Sequence, residues 1–220
     1  MVNAVIFDND GVLVDTEHLF YASCRDTLKG VGVELSLDVY QDISLRQGKS
    51  CMHLALSVGY DEAGVQQLRL DRDVLYRELL VSSLVVPDGV YETLETLHGK
   101  VKMGVVTSTT REHFDLIHKQ TGITDYLDFV YTQEDMPRLK PFPDPYLLAL
   151  DGQGLDAETS LVVEDTERGL QAALAAGIRC VVVPTEVSRG CEFKGALKVA
   201  DNVREILEIM EVKDRSSVSV

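Results

Sequence analysis

Two carboxylates separated by one residue, Asp8 and Asp10, follow directly on the apolar run Ala4–Phe7 and precede Gly11. A buried strand that opens straight into two acids delivers both to the carboxyl end of a sheet, where α/β proteins hold their ligands. Gly11 lets the chain turn sharply there. Three further groups occupy comparable places. Thr107, with Ser108 beside it, closes the run 103–106, and Glu164-Asp165 closes 161–163. Lys140 precedes Pro141, which biases it out of a helix and into a loop. Singly, each has a plain structural account: Thr107, Ser108 or Asp165 could cap the helix that follows, and Lys140 could be a solvated lysine. Together they form an acid pair, a hydroxyl, a lysine and a second acid pair, each at a strand end or loop of one sheet. Carboxylates so gathered can attack an electrophile, move protons, or ligate an oxygen-preferring cation such as Mg²⁺.

The elements that must position these groups are legible around them. The runs Ala4–Phe7, 103–106, Phe129–Tyr131, 161–163 and 180–183 are rich in Val and Ile and nearly continuous, as expected of strands buried on both faces of a parallel sheet. Helical stretches alternate with them. Thr109 with Glu112 has capping-box spacing for a helix that runs to about Gln120 before Gly122. Asp144, followed by Pro145, is placed to cap another, and 167–176 is a third, ended by Gly177. The pattern predicts an α/β fold with a Rossmann-like, doubly wound parallel sheet.

From 16 to about 85 there is no strand pattern, only helical stretches over Glu17–Lys29, 37–45, 50–58 and 61–82. In the last, Leu68, Leu75 and Leu79 share a face, while the alternation Asp71-Arg72-Asp73 reads as a solvated one. Some seventy helical residues exceed any crossover. They predict a helical cap domain, 16–86, inserted into an α/β core made of 1–15 and 87–220, with Pro87-Asp88-Gly89 marking the return.

Composition narrows the partners. Of 220 residues, 45% are hydrophobic, and 36 Asp and Glu against 21 Lys and Arg give a formal charge of −15. Such a balance repels phosphate backbones and anionic membrane surfaces, so neither nucleic acid nor membrane is expected as a partner. The four scattered cysteines form no C-x-x-C pair and read as reduced thiols, Cys24 and Cys180 buried. The five histidines lack zinc spacing. No leader or membrane-length apolar run is visible, and a cytoplasmic monomer is expected.

The four-part set resembles the haloacid dehalogenase superfamily over nearly the whole chain. Its motifs match Asp8-Asn9-Asp10-Gly11-Val12, then Thr107, then Lys140 in its Lys-Pro-x-Pro-Asp context, then Glu164-Asp165 followed by Gly169 and Ala172-Ala173. The insertion is similar to the helical cap of the subfamily containing phosphoglycolate phosphatase and β-phosphoglucomutase. The resemblance implies that Asp8 is a nucleophile forming an aspartyl-phosphate and that Asp10 is the acid and base. It implies that Thr107, Ser108, the backbone at Asn9 and the helix N-terminus beyond Ser108 bind the phosphoryl oxygens, and that Lys140 supplies positive charge. Mg²⁺ is implied on Asp8, the backbone carbonyl of Asp10, Asp165 and Glu164, and Gly48 and Lys49 are implied as specificity contacts from the cap.

Asp10 favours phosphoryl transfer over carbon–halogen cleavage, because a halide leaves without a proton. The mutases carry a histidine where this chain has Phe20 and an arginine where it has Cys51. The expected function is therefore hydrolysis of a small phosphomonoester, of sugar phosphate or phosphoglycolate type. The alternatives are a phosphosugar mutase or, in another class, a non-catalytic phosphoacceptor or phospho-ligand binder.

Overall fold

The computed structural model describes residues 2–211. Six parallel strands, β1 (Ala4–Phe7), β2 (Lys102–Val106), β3 (Phe129–Tyr131), β4 (Ser160–Glu164), β5 (Arg179–Val182) and β6 (Lys198–Val199), lie in the order β3-β2-β1-β4-β5-β6. The order reverses between β1 and β4, so a crevice opens beyond their carboxyl ends. Both strands pass Asp8 and Glu164 to that crevice, with Phe7 in register with Val163.

Successive strand side chains alternate between faces. Val5 and Phe7 enter one apolar layer with Val105, Phe114 and Leu161, whereas Ile6 enters the opposite layer with Val106, Tyr146 and Val162. Two covered faces explain why the strands read as unbroken apolar runs. β6 was not legible because it is two residues long and largely uncovered.

The helices are α1 (Glu17–Lys29), α2 (Leu37–Tyr40), α3 (Glu62–Ser83), α4 (Val90–Leu97), α5 (Arg111–Thr121), α6 (Asp144–Gln153), α7 (Glu167–Ala175) and α8 (Ile206–Glu211). α2 runs into a π-helical turn, Gln41–Arg46, and a 3₁₀ helix spans Cys51–Val58. Two expected caps are corrected. Thr110, not Thr109, caps α5 by accepting the His113 N–H, because the Thr109 hydroxyl is engaged elsewhere. Asp144 lies inside α6 rather than before it, and its carboxylate pairs with Arg138 at 2.8 Å. α4 begins at Gly89, whose left-handed φ of 86° supplies the turn after Pro87-Asp88.

Residues 17–83 form no strand and supply most of a separate apolar cluster, completed by Val187, in which Cys24 and Leu28 of α1 meet Tyr40, Met52, Val65 and Leu68. The fully covered positions of α3 are Val65, Leu68, Tyr76 and Leu80, with Leu75 and Leu79 only half-buried. Arg72 falls in register with that stripe, so the expected solvated face is wrong at this residue: its side chain is 14% exposed and its guanidinium lies 4.4 Å over the Phe20 ring. Tyr76 and Leu80 join the layer of Phe114, and the Gln41 amide donates to the Val187 carbonyl at 2.7 Å. Cys24, Cys51 and Cys180 are buried free thiols. No helix among the described residues is long and apolar enough to cross a membrane.

Candidate active site

A cavity of about 360 Å³ lies between the strand ends and the inserted helices, lined from the sheet side by Asp8, Asp10, Thr107, Lys140, Glu164 and Asp165. Asp8 leaves β1 with its N–H bonded to the Val163 carbonyl at 2.8 Å. Lys140 reaches it from the loop before α6. Its ammonium contacts Asp8 Oδ1 and Glu164 Oε1, each at 2.6 Å, and donates to the Val106 carbonyl at 2.9 Å. Three acceptors match the three protons of an ammonium, so a side chain only 4% exposed is fully satisfied. The plain account of Lys140 as solvated is thereby excluded. Glu164 also accepts from the Tyr146 hydroxyl at 2.6 Å.

Asp8, Glu164 and Asp165 are buried and offer carboxylate oxygens within 4.8 Å of one another. One ammonium among three carboxylates leaves a deficit of positive charge. Burial, aided by Glu164 and Asp10 and opposed by Lys140, pushes the Asp8 carboxyl up to about 8. Burial and then the charge on Asp8 raise Asp165 well above the usual carboxylate range. For Lys140, the two carboxylates outweigh burial and hold the ammonium above its ordinary value. Asp165 Oδ2 is buried with no hydrogen-bond partner. An orphaned hard oxygen in an under-compensated acid cluster fits a small divalent cation.

Two glycines shape this cluster. A Cβ on Gly11, which has φ 85°, would stand 2.2 Å from Asp165 Oδ2, and one on Gly169 would stand 1.9 Å from the Glu164 carboxyl carbon. Both carboxylates therefore lie in space that any other residue would fill.

Asp10 is held by four donors. The hydroxyls of Thr16 and Thr109 lie 2.6 Å from its oxygens, and the Thr107 hydroxyl and Asn9 amide lie at 3.2 Å. Thr16 stands at the N-cap of α1 yet makes no side-chain cap, its hydroxyl being turned to Asp10 instead. Thr107 is thus directed at Asp10 as well as lining the cavity, while the buried Ser108 Oγ on the cavity wall has no partner.

The Asn9 side chain is fully buried and lies outside the cavity lining, with its Oδ1 2.7 Å from His118 Nε2, so only its backbone is left to face a ligand. At the N-terminus of α5, Glu134 accepts the Arg111 N–H at 3.0 Å and Thr110 accepts that of His113. One expectation is corrected. Gly48 and Lys49 do not line the cavity: Lys49 is exposed, and Gly48 packs beneath Arg168, which does line it.

The inserted helices contribute other groups, above all Glu17 and Arg72. Burial, opposed by the bond from the Tyr40 hydroxyl at 2.8 Å, pushes Glu17 up to about 7. Neither residue stood out from the sequence. For Arg72 the signal was present, since Leu68, Arg72, Tyr76 and Leu80 follow one another at spacings of four.

His118 adds a pH dependence. Burial lowers its imidazole from 6.5 to about 4, so between those values the unfolded chain binds a proton that the folded one does not. Stability then rises with pH across that window and is lost as pH falls through it. Denaturant midpoints measured from pH 7 to pH 4 are expected to drop more steeply in the wild type than in His118→Gln, and parallel slopes would refute the contribution.

The family model described as haloacid dehalogenase-like hydrolase matches residues 5–183. Protein CbbY of Rhodobacter capsulatus is 30% identical over 89% of this chain and 91% of its own length. A phosphorylated carbohydrates phosphatase of Thermotoga maritima is 31% identical over 80% of this chain and 82% of its own. Among solved structures, CbbY of Rhodobacter sphaeroides in complex with phosphate superposes with a TM-score of 0.80 at 24% identity, covering 94% of this chain and 96% of that one.

Proposed function

This chain belongs to the haloacid dehalogenase-like hydrolases, and we propose that it is a Mg²⁺-dependent phosphatase of a small phosphorylated metabolite, of sugar phosphate or phosphoglycolate type. The observation that carries this reading is the Lys140 ammonium, held between Asp8 and Glu164 beside the orphaned oxygen of Asp165.

In this reading Asp8 attacks phosphorus, the ester P–O bond breaks, and Asp10 gives its proton to the departing alkoxide. Asp10 then takes a proton from water, the resulting hydroxide attacks the aspartyl-phosphate, and Asp8 is regenerated. Two unit charges 4 Å apart repel by about 4 kcal/mol at an effective dielectric of about 20. Lys140 offsets part of that repulsion between Asp8 and the phosphoryl group. Asp8, Asp165, Glu164 and the backbone carbonyl of Asp10 would hold Mg²⁺, which would supply the remaining positive charge. Thr107 and Ser108 bind the phosphoryl oxygens.

We assign 16–86 as the cap and 1–15 with 87–220 as the core, so that substrate is selected where they meet. Glu17 and Arg72 from the cap and Arg168 from the core suit a polyhydroxylated or doubly anionic leaving group. Relatives bearing phosphatase names support the carbohydrate class. Cys51, at the mutase arginine position, is 2% exposed within the helical cluster and is a poor holder of a second phosphate, which favours hydrolysis.

Inorganic phosphate released from a panel of sugar phosphates, phosphoglycolate and nucleotides tests the reading. Release from one or more small esters with Mg²⁺, and its loss with a chelator, is expected. Isomerised phosphosugar without phosphate release would indicate a mutase, and a phosphorylated protein without turnover a phosphoacceptor; either overturns the proposal.

A further inference from the structure

His118 and Asn9 form a buried polar pair that the chemistry above leaves unused. The imidazole, on the last turn of α5, places Nε2 2.7 Å from Asn9 Oδ1 and Nδ1 2.9 Å from the Thr121 hydroxyl. The Asn9 amide nitrogen lies 3.2 Å from Asp10 Oδ2.

The directions of these bonds follow from chemistry. A carboxylate accepts, so Asn9 must turn its NH₂ to Asp10 and its oxygen to His118. His118 must then carry its proton on Nε2, and Nδ1 accepts from Thr121, whose oxygen in turn receives the Ile123 N–H at 3.2 Å. Every member of the chain has one role, and a buried imidazole lowered to about 4 stays neutral to play it.

The pair also acts on the loop itself. Asn9 is wholly buried and His118 is 4% exposed, with its ring 4.3 Å from that of Phe114. Anchoring the middle residue of Asp8-Asn9-Asp10 into the core turns both flanking carboxylates toward the cavity. The other donors to Asp10 come from the loop after β2 and from the start of α1. The Asn9 bond alone ties it to the interior beneath α5. A buried polar pair pays a desolvation cost that an apolar pair of similar shape would not.

We propose that His118, acting through Asn9, is a positioning residue that aims the Asp10 carboxyl at the leaving-group oxygen. The proposal rests on the phosphatase reading. Its test uses kcat/KM, which reports steps up to release of the first product, with two esters: an aryl phosphate whose phenolate departs readily unprotonated, p-nitrophenyl phosphate, and an alkyl phosphate whose alkoxide needs the proton.

His118→Leu is expected to lower kcat/KM for the alkyl ester by roughly 10²-fold, the lower end of what acid–base catalysis contributes, and for the aryl ester by about threefold or less. His118→Gln, which keeps a donor near the Nε2 position, is expected to restore the wild-type ratio of the two. Should His118→Leu fold poorly, the double variant Asn9→Leu/His118→Leu replaces both polar partners together and is expected to show the same selective loss. Equal losses on both esters, no loss, or a His118→Gln enzyme as selective as His118→Leu would overturn the proposal. A wild-type enzyme that hydrolysed neither ester would instead count against the phosphatase reading.

Discussion

Asp8→Asn is expected to reduce phosphate release by about 10⁴-fold or more, the scale on which removing a nucleophile abolishes covalent catalysis, without unfolding the protein. The two halves of this expectation come from one arrangement. Asp8 is one of three buried carboxylates compensated by a single ammonium. An amide of nearly the same shape cannot form the acyl-phosphate, but it removes one negative charge from an over-acidic cluster and leaves Lys140 paired with Glu164. Metal-free Asp8→Asn should therefore melt at or above the wild-type temperature at pH 8, where the wild-type carboxyl is losing its proton. Scanning calorimetry beside an inorganic phosphate assay reads both quantities. Full retention of activity would remove Asp8 as the nucleophile, and a marked fall in melting temperature would contradict the charge argument.

Lys140→Met should do the reverse damage. The methionine retains the apolar stem, but Asp8 and Glu164 lose their shared cation and the Val106 carbonyl loses a donor. Breaking a buried ion pair by removing one partner costs about 3–5 kcal/mol. For a protein of this size that corresponds to a melting temperature lower by roughly 6–20 °C. Activity should fall with it, because the charge facing the transferring group is gone. Added Mg²⁺ is expected to return part of the lost stability by supplying charge to the same carboxylates, a recovery readable by calorimetry with and without chelator. Unchanged stability in Lys140→Met would mean that the ammonium is not the counter-charge proposed here.

The layout of the sheet was readable because burial on both faces leaves little choice of residue: Ala4–Phe7 and Phe129–Tyr131 appear in the structure with their expected limits. The convergence of Asp8, Thr107, Lys140, Glu164 and Asp165 on one cavity was readable for a related reason, since each stands at a strand end or in a loop beside one. What stayed hidden depends on tertiary register. Arg72 and Asp73 look like a solvated charge run until the packing of α3 turns them to the cavity, and Glu17 looks like an ordinary first-turn acid. His118 resembled any other isolated histidine, because its partner Asn9 is 109 residues away in sequence. Thr109 and Thr110 are adjacent hydroxyls, and only the demand of Asp10 for a donor decides which of them caps α5.

The close approach of Gly11 to Asp165 and of Gly169 to Glu164 has a consequence for how this site tolerates change. Neither glycine carries a reactive atom, yet a single methyl group at either position competes for the volume of a carboxylate. In a library of all single substitutions, both positions should be as intolerant as Asp8 itself, while exposed Lys49 accepts most replacements. A search for important residues that scored only polar side chains would pass over both. Loss at these glycines should also differ in kind from loss at Asp8: the acids would still be present but displaced, so an inactive variant could regain activity through a second substitution that enlarges the neighbouring space.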